Sequence, residues 1–283
     1  MRAMIALITG ASSGIGEATA RRLAREPGSQ LVLVARRGER LRALAQVLGG
    51  ALVLAEDLTD EGAAARIAEA VEAEHGRLDM LVNNAGAGWS GTFAQQGAAN
   101  LRRTIEINLL AQARLTEALL PALHRSAPSC IVNVASTSGR VARPGSSAYS
   151  ASKFAFIGWT DALHLEEAPH GVHVGLVNPG FIATEGFPQR ELVGRASTRW
   201  MVSTPEKVAE AIIDAGPGGR AERYVPRPYA LAAAARLLLP GGVRRVLASR
   251  DGTALSTTTA AGTHAASAAG DQERDRAATG ADR

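Results

Sequence analysis

The sequence predicts an α/β domain folded around a parallel sheet, on three observations. Apolar runs of strand length recur at 3–9, 30–35, 51–55 and 78–82, and the stretches between them have helical character. The first run passes straight into the glycine-rich turn Gly10-Ala-Ser-Ser-Gly14-Ile-Gly16 and then into a helix. The 283 residues, 46% apolar and 20% charged, suffice for one large domain with a substantial core.

The run from Ala3 to Thr9 is expected to be a buried first strand. A short signal peptide is the other reading of Met1 to Ile8, but the apolar stretch is shorter than an export core and no cleavage pattern follows it. At the strand–turn–helix that follows, backbone N–H groups and the helix dipole converge on one point, which suits an anion. Gly10, Ser12, Ser13, Gly14, Ile15 and Gly16 are therefore expected to cradle a pyrophosphate, with the glycines letting it approach the main chain. The spacing is G-x-x-x-G-x-G, and a tight turn that binds nothing has the same pattern.

The second strand, Gln30 to Ala35, ends at Arg36-Arg37. In dinucleotide-binding sheets an acid at this strand end bonds the 2′-OH of NAD, whereas an arginine suits the 2′-phosphate of NADP. With Ala35 at the acidic position and Arg36 next, the residues favour NADP(H) over NAD(H). A pair of surface arginines capping a helix is the alternative. A third strand, Ala51 to Ala55, leads to Glu56-Asp57-Leu58, and Thr59-Asp60-Glu61 is expected to open an amphipathic helix. The fourth, Leu78 to Val82, ends in Asn83-Asn84-Ala85-Gly86, at the edge where ligands of open α/β sheets gather.

Tyr149-Ser-Ala-Ser-Lys153 sets a phenol and an ammonium four residues apart, on one face of a helix. A cation fixed beside a phenol lowers its pKa from about 10 and makes it a usable proton donor and acceptor. An exposed Tyr and Lys on a surface turn share that spacing. Lysine is scarce in this chain, however: Lys153 and Lys207 stand alone among arginines.

In order and spacing, Thr9-Gly10-Ala-Ser-Ser-Gly14-Ile-Gly16, Asn83-Asn84-Ala85-Gly86, Tyr149-x-x-x-Lys153 and Asn178-Pro179-Gly180 resemble the short-chain dehydrogenase/reductase family. The resemblance implies a Rossmann-like, doubly wound parallel sheet with helices on both faces, as one domain over 1–228. It also implies site roles. Ser136, thirteen residues before Tyr149, would bond the substrate oxygen; Tyr149 would be the general acid/base; Lys153 would bond the nicotinamide ribose. Asn108, expected on a long helix, would help hold a proton-relay water. Asp57 and Leu58 would contact adenine, and Asn84, Ala85 and Gly86 the adenosine side. Thr184 would lie near the carboxamide, with Pro179 and Gly180 in the same cofactor-binding stretch. A buried tie by Asn108 or a turn bond by Ser136 is the structural alternative, and Asn133 is the weaker catalytic candidate. The implied reaction is hydride transfer between NADP(H) and a carbonyl or secondary alcohol, in a homodimer or homotetramer. A cofactor-binding regulator on the same fold that does not catalyse is the alternative.

On the same resemblance, substrate selection falls after Gly86, after Ser136 and between Gly180 and Ser203. Trp89 and Phe93, with Phe181, Phe187, Trp200 and Met201, suggest an apolar pocket or ordinary packing. Arg190, Arg195 and Arg199 read as a solvated loop in preference to an acidic-substrate site. Thr204-Pro205-Glu206 starts a helix, and Arg223-Tyr224-Val225-Pro226 ends the last strand. A helical extension over 229–248, broken at Pro240-Gly241-Gly242, is expected to act as a lid or subunit contact in preference to touching a membrane. Residues 249–283 are expected to be a disordered tail.

The pI of 9.8 comes with a net charge of only +4 and scattered arginines, so a nucleic-acid partner is not expected. The six histidines show no metal-ligand spacing. Glu166-Glu167 reads as a solvated helix face. Lone Cys130 excludes an intramolecular disulfide and fits a reducing, cytoplasmic compartment. No run approaches the roughly 20 apolar residues of a membrane span.

Overall fold

Strands that are apolar on both faces need a sheet covered on both sides, and that is what the chain builds. The computed structural model describes residues 3–184, 192, 194 and 199–249. Its strands are β1 (Ile5–Thr9), β2 (Gln30–Val34), β3 (Leu52–Leu54), β4 (Met80–Asn83), β5 (Ser129–Val134), β6 (Val172–Pro179), β7 (Phe181–Ile182), β8 (Val202–Ser203) and β9 (Glu222–Val225). The helices are α1 (Gly14–Leu23), α2 (Gly38–Val47), α3 (Ala63–His75), α4 (Phe93–Ile105), α5 (Ala111–Arg125), α6 (Ser147–Glu167), α7 (Pro205–Ala215), α8 (Tyr229–Leu238) and α9 (Pro240–Ala248).

Among the described residues, seven strands form one parallel sheet in the order β3-β2-β1-β4-β5-β6-β9, while β7 and β8 pair separately. The order reverses between β1 and β4, which opens a crevice at their carboxyl ends, the place where a doubly wound, Rossmann-like sheet binds its ligand. Alternation along β1 divides the core. Ile8 packs with Ala20, Leu23, Leu41, Val208 and Ile212 on one face. Leu7 packs with Ile67, Val71, Leu115, Leu119 and Leu163 on the other.

Three details differ from the sequence expectations, and a fourth, at Asn133, agrees with its weaker standing as a catalytic candidate. The third helix starts at Ala63, because the Asp57 carboxylate takes the Thr59 N–H and hydroxyl (3.1 and 2.7 Å) and holds this stretch as a turn. Glu167 is no solvated residue: it is 7% exposed and lies 2.6 Å from His124 Nε2. The extension is interrupted only at Leu239, since Pro240 takes the first position of α9, where its missing N–H is no loss. Asn133 is fully buried as a tie, accepting from Asn83 and donating to Thr160 at 2.9 Å each.

Cys130 is buried, and burial pushes its thiol up to about 12, which leaves it protonated and inert at neutral pH. Neither α8 nor α9 buries a residue, and Leu231, Leu237, Leu238, Leu239 and Val246 are exposed there. No described helix is long and apolar enough to cross a membrane. Residues 250–283, most of the expected tail, lie outside the described residues.

Candidate active site

The glycine turn is shaped by close approach. Gly10 and Gly14 take positive φ (67° and 58°). A Cβ on Gly16 would stand 2.3 Å from the Gly10 carbonyl oxygen, so only glycine lets the helix start this near the strand. The turn is laced to the end of β4. Asn84 Nδ2 donates to the Thr9 carbonyl, and Thr9 Oγ1 accepts from the N–H groups of Asn84 and Ala85, all at 2.9 Å. The Thr184 methyl faces Gly14, 3.3 Å from where its Cβ would be. The first glycine turn, Asn84-Ala85 and the stretch after β6 thus border one crevice, as the sequence expects.

The two arginines after β2 diverge. Arg36 is 57% exposed, with Nη1 3.8 Å from Asp57 Oδ2. Arg37 turns into the glycine loop and donates to Ser12 Oγ (3.0 and 3.2 Å) and Ser13 Oγ (2.7 Å). Arg37 and Thr9 are site residues that sequence reasoning did not single out; the serine pair inside the loop was the available signal for Arg37. Leu58 puts its side chain into the core beside β1 and β2, so Asp57 alone of that pair presents a polar side chain.

Across the crevice, Ser136 follows β5 and its hydroxyl accepts from Ser138 N–H at 3.1 Å. It also lies 3.5 Å from the Pro179 carbonyl. Tyr149 stands in the first turn of α6, its ring packed on Gly88, where an added Cβ would approach Cδ2 to 3.0 Å. One turn on, Lys153 Nζ donates to the Val134 carbonyl at 3.0 Å and lies 5.9 Å from the Tyr149 ring centre. Lys153 is 4% exposed, no described carboxylate pairs with it, and burial pulls its pKa down to about 8.

Burial also raises the Tyr149 pKa. The Ser136 hydroxyl and the positive charge of Arg143 oppose this rise. The Lys153 ammonium is directed at the backbone of β5, and the Arg143 guanidinium from the loop before α6 adds a second positive charge near the phenol.

Asn108 lies in a π-helical turn, Glu106–Leu110, between α4 and α5. Such turns expose backbone groups that a regular helix would close off. Its side chain is fully buried. It donates to the Ala87 carbonyl (2.8 Å) and Ser152 Oγ (3.0 Å) and accepts from Ala87 N–H (2.9 Å). It therefore ties the strand-end loop to the helix of Tyr149.

The wall beyond Ser136 is aromatic. Tyr229, the first residue of α8, lies on Gly180 so closely that a Cβ there would meet its ring at 2.4 Å. Its hydroxyl donates to the Met201 carbonyl at 3.2 Å, and its ring centre is 6.4 Å from Phe181 and 6.5 Å from Trp200. The extension thus contributes a residue to the site wall. Trp89 is covered by Arg103 at 4.1 Å, while Phe93 is more than half exposed. Phe187, Arg190 and Arg195 lie outside the described residues. Among the described residues no group of His, Cys, Asp and Glu could hold a metal ion.

The sequence profile described as short chain dehydrogenase matches residues 4–191. The ketoacyl reductase HetN of Nostoc sp. is 34% identical over 213 residues, which is 74% of each chain. The dehydrogenase/reductase SDR family member 7B of Bos taurus is 32% identical, covering 88% of this chain and 82% of its own. A solved short-chain dehydrogenase from Streptomyces avermitilis superposes with a TM-score of 0.72 at 31% identity, over 85% of this chain and 96% of that one. L-Sorbose reductase from Gluconobacter frateurii, solved with NADPH and L-sorbose, superposes with a TM-score of 0.71 at 26% identity, over 79% and 95%.

Proposed function

The chain belongs to the short-chain dehydrogenase family, and from that premise we propose that it is an NADP(H)-dependent oxidoreductase working between a carbonyl compound and its secondary alcohol, with Tyr149 as general acid and base. The observation that carries the reading is the convergence of Ser136, Tyr149 and a buried Lys153 on the crevice that the glycine turn borders.

The residues fit the cofactor. The Gly10–Gly16 turn leaves the space that Cβ atoms would fill, and Arg36 and Arg37 bring positive charge to the place a 2′-phosphate would take. NADPH in the sorbose reductase neighbour supports the same preference. Bound NADP(H) supplies or accepts the hydride. The protein does the rest. Ser136 Oγ holds the substrate oxygen as charge builds on it. Tyr149 Oη gives that oxygen its proton or takes it away. Lys153 would bond the nicotinamide ribose. Asn108 keeps the loop at Ala87 against α6 and so fixes the distance between the two halves of the site.

A fluorescence titration with NADPH and NADH tests the cofactor assignment. NADPH should bind more tightly, and Arg36→Asp should weaken it by about ten- to a hundredfold, the worth of a charged hydrogen bond, while sparing NADH. An unchanged preference removes Arg36 from the reading. Binding without turnover of any carbonyl compound favours the regulator instead.

A homodimer or homotetramer belongs to the same reading, supported by exposed Leu110 at the end of the π turn before α5 and exposed Phe154 and Leu165 on α6. A cytoplasmic location is supported by the single, buried cysteine. Sedimentation with and without anionic liposomes should show an oligomer that ignores the vesicles; pelleting with them would give the exposed leucines of α8 and Val246 of α9 to a membrane surface.

A further inference from the structure

Arg143 stands between the two residues assigned to the substrate oxygen, in the loop from Ser136 to α6. That loop is pinned. Ser146 bonds the Arg143 carbonyl through its N–H (3.3 Å) and its hydroxyl (2.8 Å), and Gly91 N–H bonds the Gly145 carbonyl at 3.0 Å. The side chain turns inward, with its guanidinium carbon 4.7 Å above the buried Phe181 ring and Nη2 3.4 Å from Ser138 Oγ. Its charge acts on both Tyr149 and Tyr229. Nη1 is buried and bonds none of the described residues.

Arg140 and Arg223 also bury an unbonded Nε, but each is paired with an acid, Glu222 and Asp214 respectively. No described carboxylate pairs with Arg143. Burial lowers its pKa, yet an arginine keeps its proton. A buried charge with an unsatisfied N–H is unfavourable unless something pairs with it.

We propose that Arg143 is the recognition point for a carboxylate on the substrate, so that the chain acts on oxo acids or the matching hydroxy acids in preference to neutral carbonyl compounds; this rests on the reading of Ser136 and Tyr149 as the groups that hold the reacting oxygen. A guanidinium fork matches a carboxylate, and stacking on Phe181 fixes its plane. Carboxylate is favoured over phosphate because no second described cation joins it: Lys153, the buried cation of the site, already donates to Val134. Aromatic Phe181 and Tyr229 leave the rest of the wall to apolar parts of the molecule.

The test compares three oxo acids that differ in the carbonyl–carboxylate distance, phenylglyoxylate, acetoacetate and levulinate, each against its methyl ester with NADPH. At least one acid should be preferred by about tenfold or more in kcat/KM, the difference lying in KM. Arg143→Met should remove that preference, and Arg143→Lys should keep part of it. Benzoate should raise the melting temperature of the NADP-loaded wild type and benzamide should not, with the difference absent in Arg143→Met. NADPH titration and thermal melting show whether each variant is folded. If Arg143→Met does not fold, loss of the wild-type acid preference with rising salt decides. Esters turned over as well as the acids in all three pairs, or an acid preference that survives Arg143→Met, overturn the proposal. So does an equal loss for acid and ester with a shifted pH profile, which would leave Arg143 acting only on Tyr149. Failure of every acid and ester to turn over would strike the catalytic reading itself, and the benzoate comparison would still decide the anion site.

Discussion

Tyr149→Phe should lower kcat by about two to four orders of magnitude, the range for losing a positioned general acid, while leaving NADPH binding close to that of the wild type. The ring stays where it is, because its contacts are with Gly88, and a phenylalanine repeats them with one atom fewer. What goes is the hydroxyl. In the wild type the phenol pKa is raised by burial, with Ser136 and Arg143 pulling the other way. A raised pKa means that Tyr149 carries its proton at neutral pH. Protonated, it can donate to a forming alkoxide; to oxidise an alcohol it must first lose that proton. Carbonyl reduction should therefore hold steady through neutral pH and fall once the phenol ionises, and alcohol oxidation should climb over the same interval. Steady-state rates in both directions, followed from neutral pH to above pH 10, would show the crossing. A Tyr149→Phe enzyme with near-native turnover would end the assignment.

The sequence carried the crevice well, because its parts are local. A strand, three spaced glycines and a helix lie within one stretch, and Tyr149 and Lys153 share one helical face. What was not legible depends on direction and on distance along the chain. Nothing in Arg36-Arg37 says which side chain turns into the loop; the strand end decides, and it sends Arg37 to Ser12 and Ser13. The π turn at Asn108 breaks helical register without a glycine or proline to announce it. Glu167 looked solvated because its partner His124 is 43 residues away. Arg190, Arg195 and Arg199, in the loop richest in arginine, read as solvated in preference to an acidic-substrate site. Arg143 is half-buried and has no described carboxylate partner, and only its tertiary contacts with Phe181 and Ser138 set it apart.

Lys153→Met should reduce kcat/KM by about two orders of magnitude, if the ammonium makes a charged hydrogen bond in the working site, and it should also expose what the lysine does to stability. Folded, Lys153 releases its proton near pH 8; unfolded, it holds it until its ordinary value of 10.5. Below pH 8 both states are protonated and the full burden of a buried charge falls on the folded chain. Between these values the unfolded chain binds the extra proton, so stability rises with pH, at most by about 1.4 kcal/mol per pH unit. Cys130 works in the opposite sense above its ordinary 9.0, because the folded thiol keeps its proton to about 12. That contribution is common to both proteins and cancels in the difference. The wild-type minus Lys153→Met unfolding free energy should then be flat below pH 8 and rise above it, measurable by urea denaturation at stepped pH. A flat difference throughout would mean that Lys153 is not desolvated in solution. Lys153→Arg should be flat as well, for a different reason: a guanidinium keeps its proton across the whole window. In a chain whose other basic residues are arginines apart from Lys207, the group at this position is the one that can be buried charged and still titrate near working pH, and that property, more than its charge alone, is what arginine could not supply.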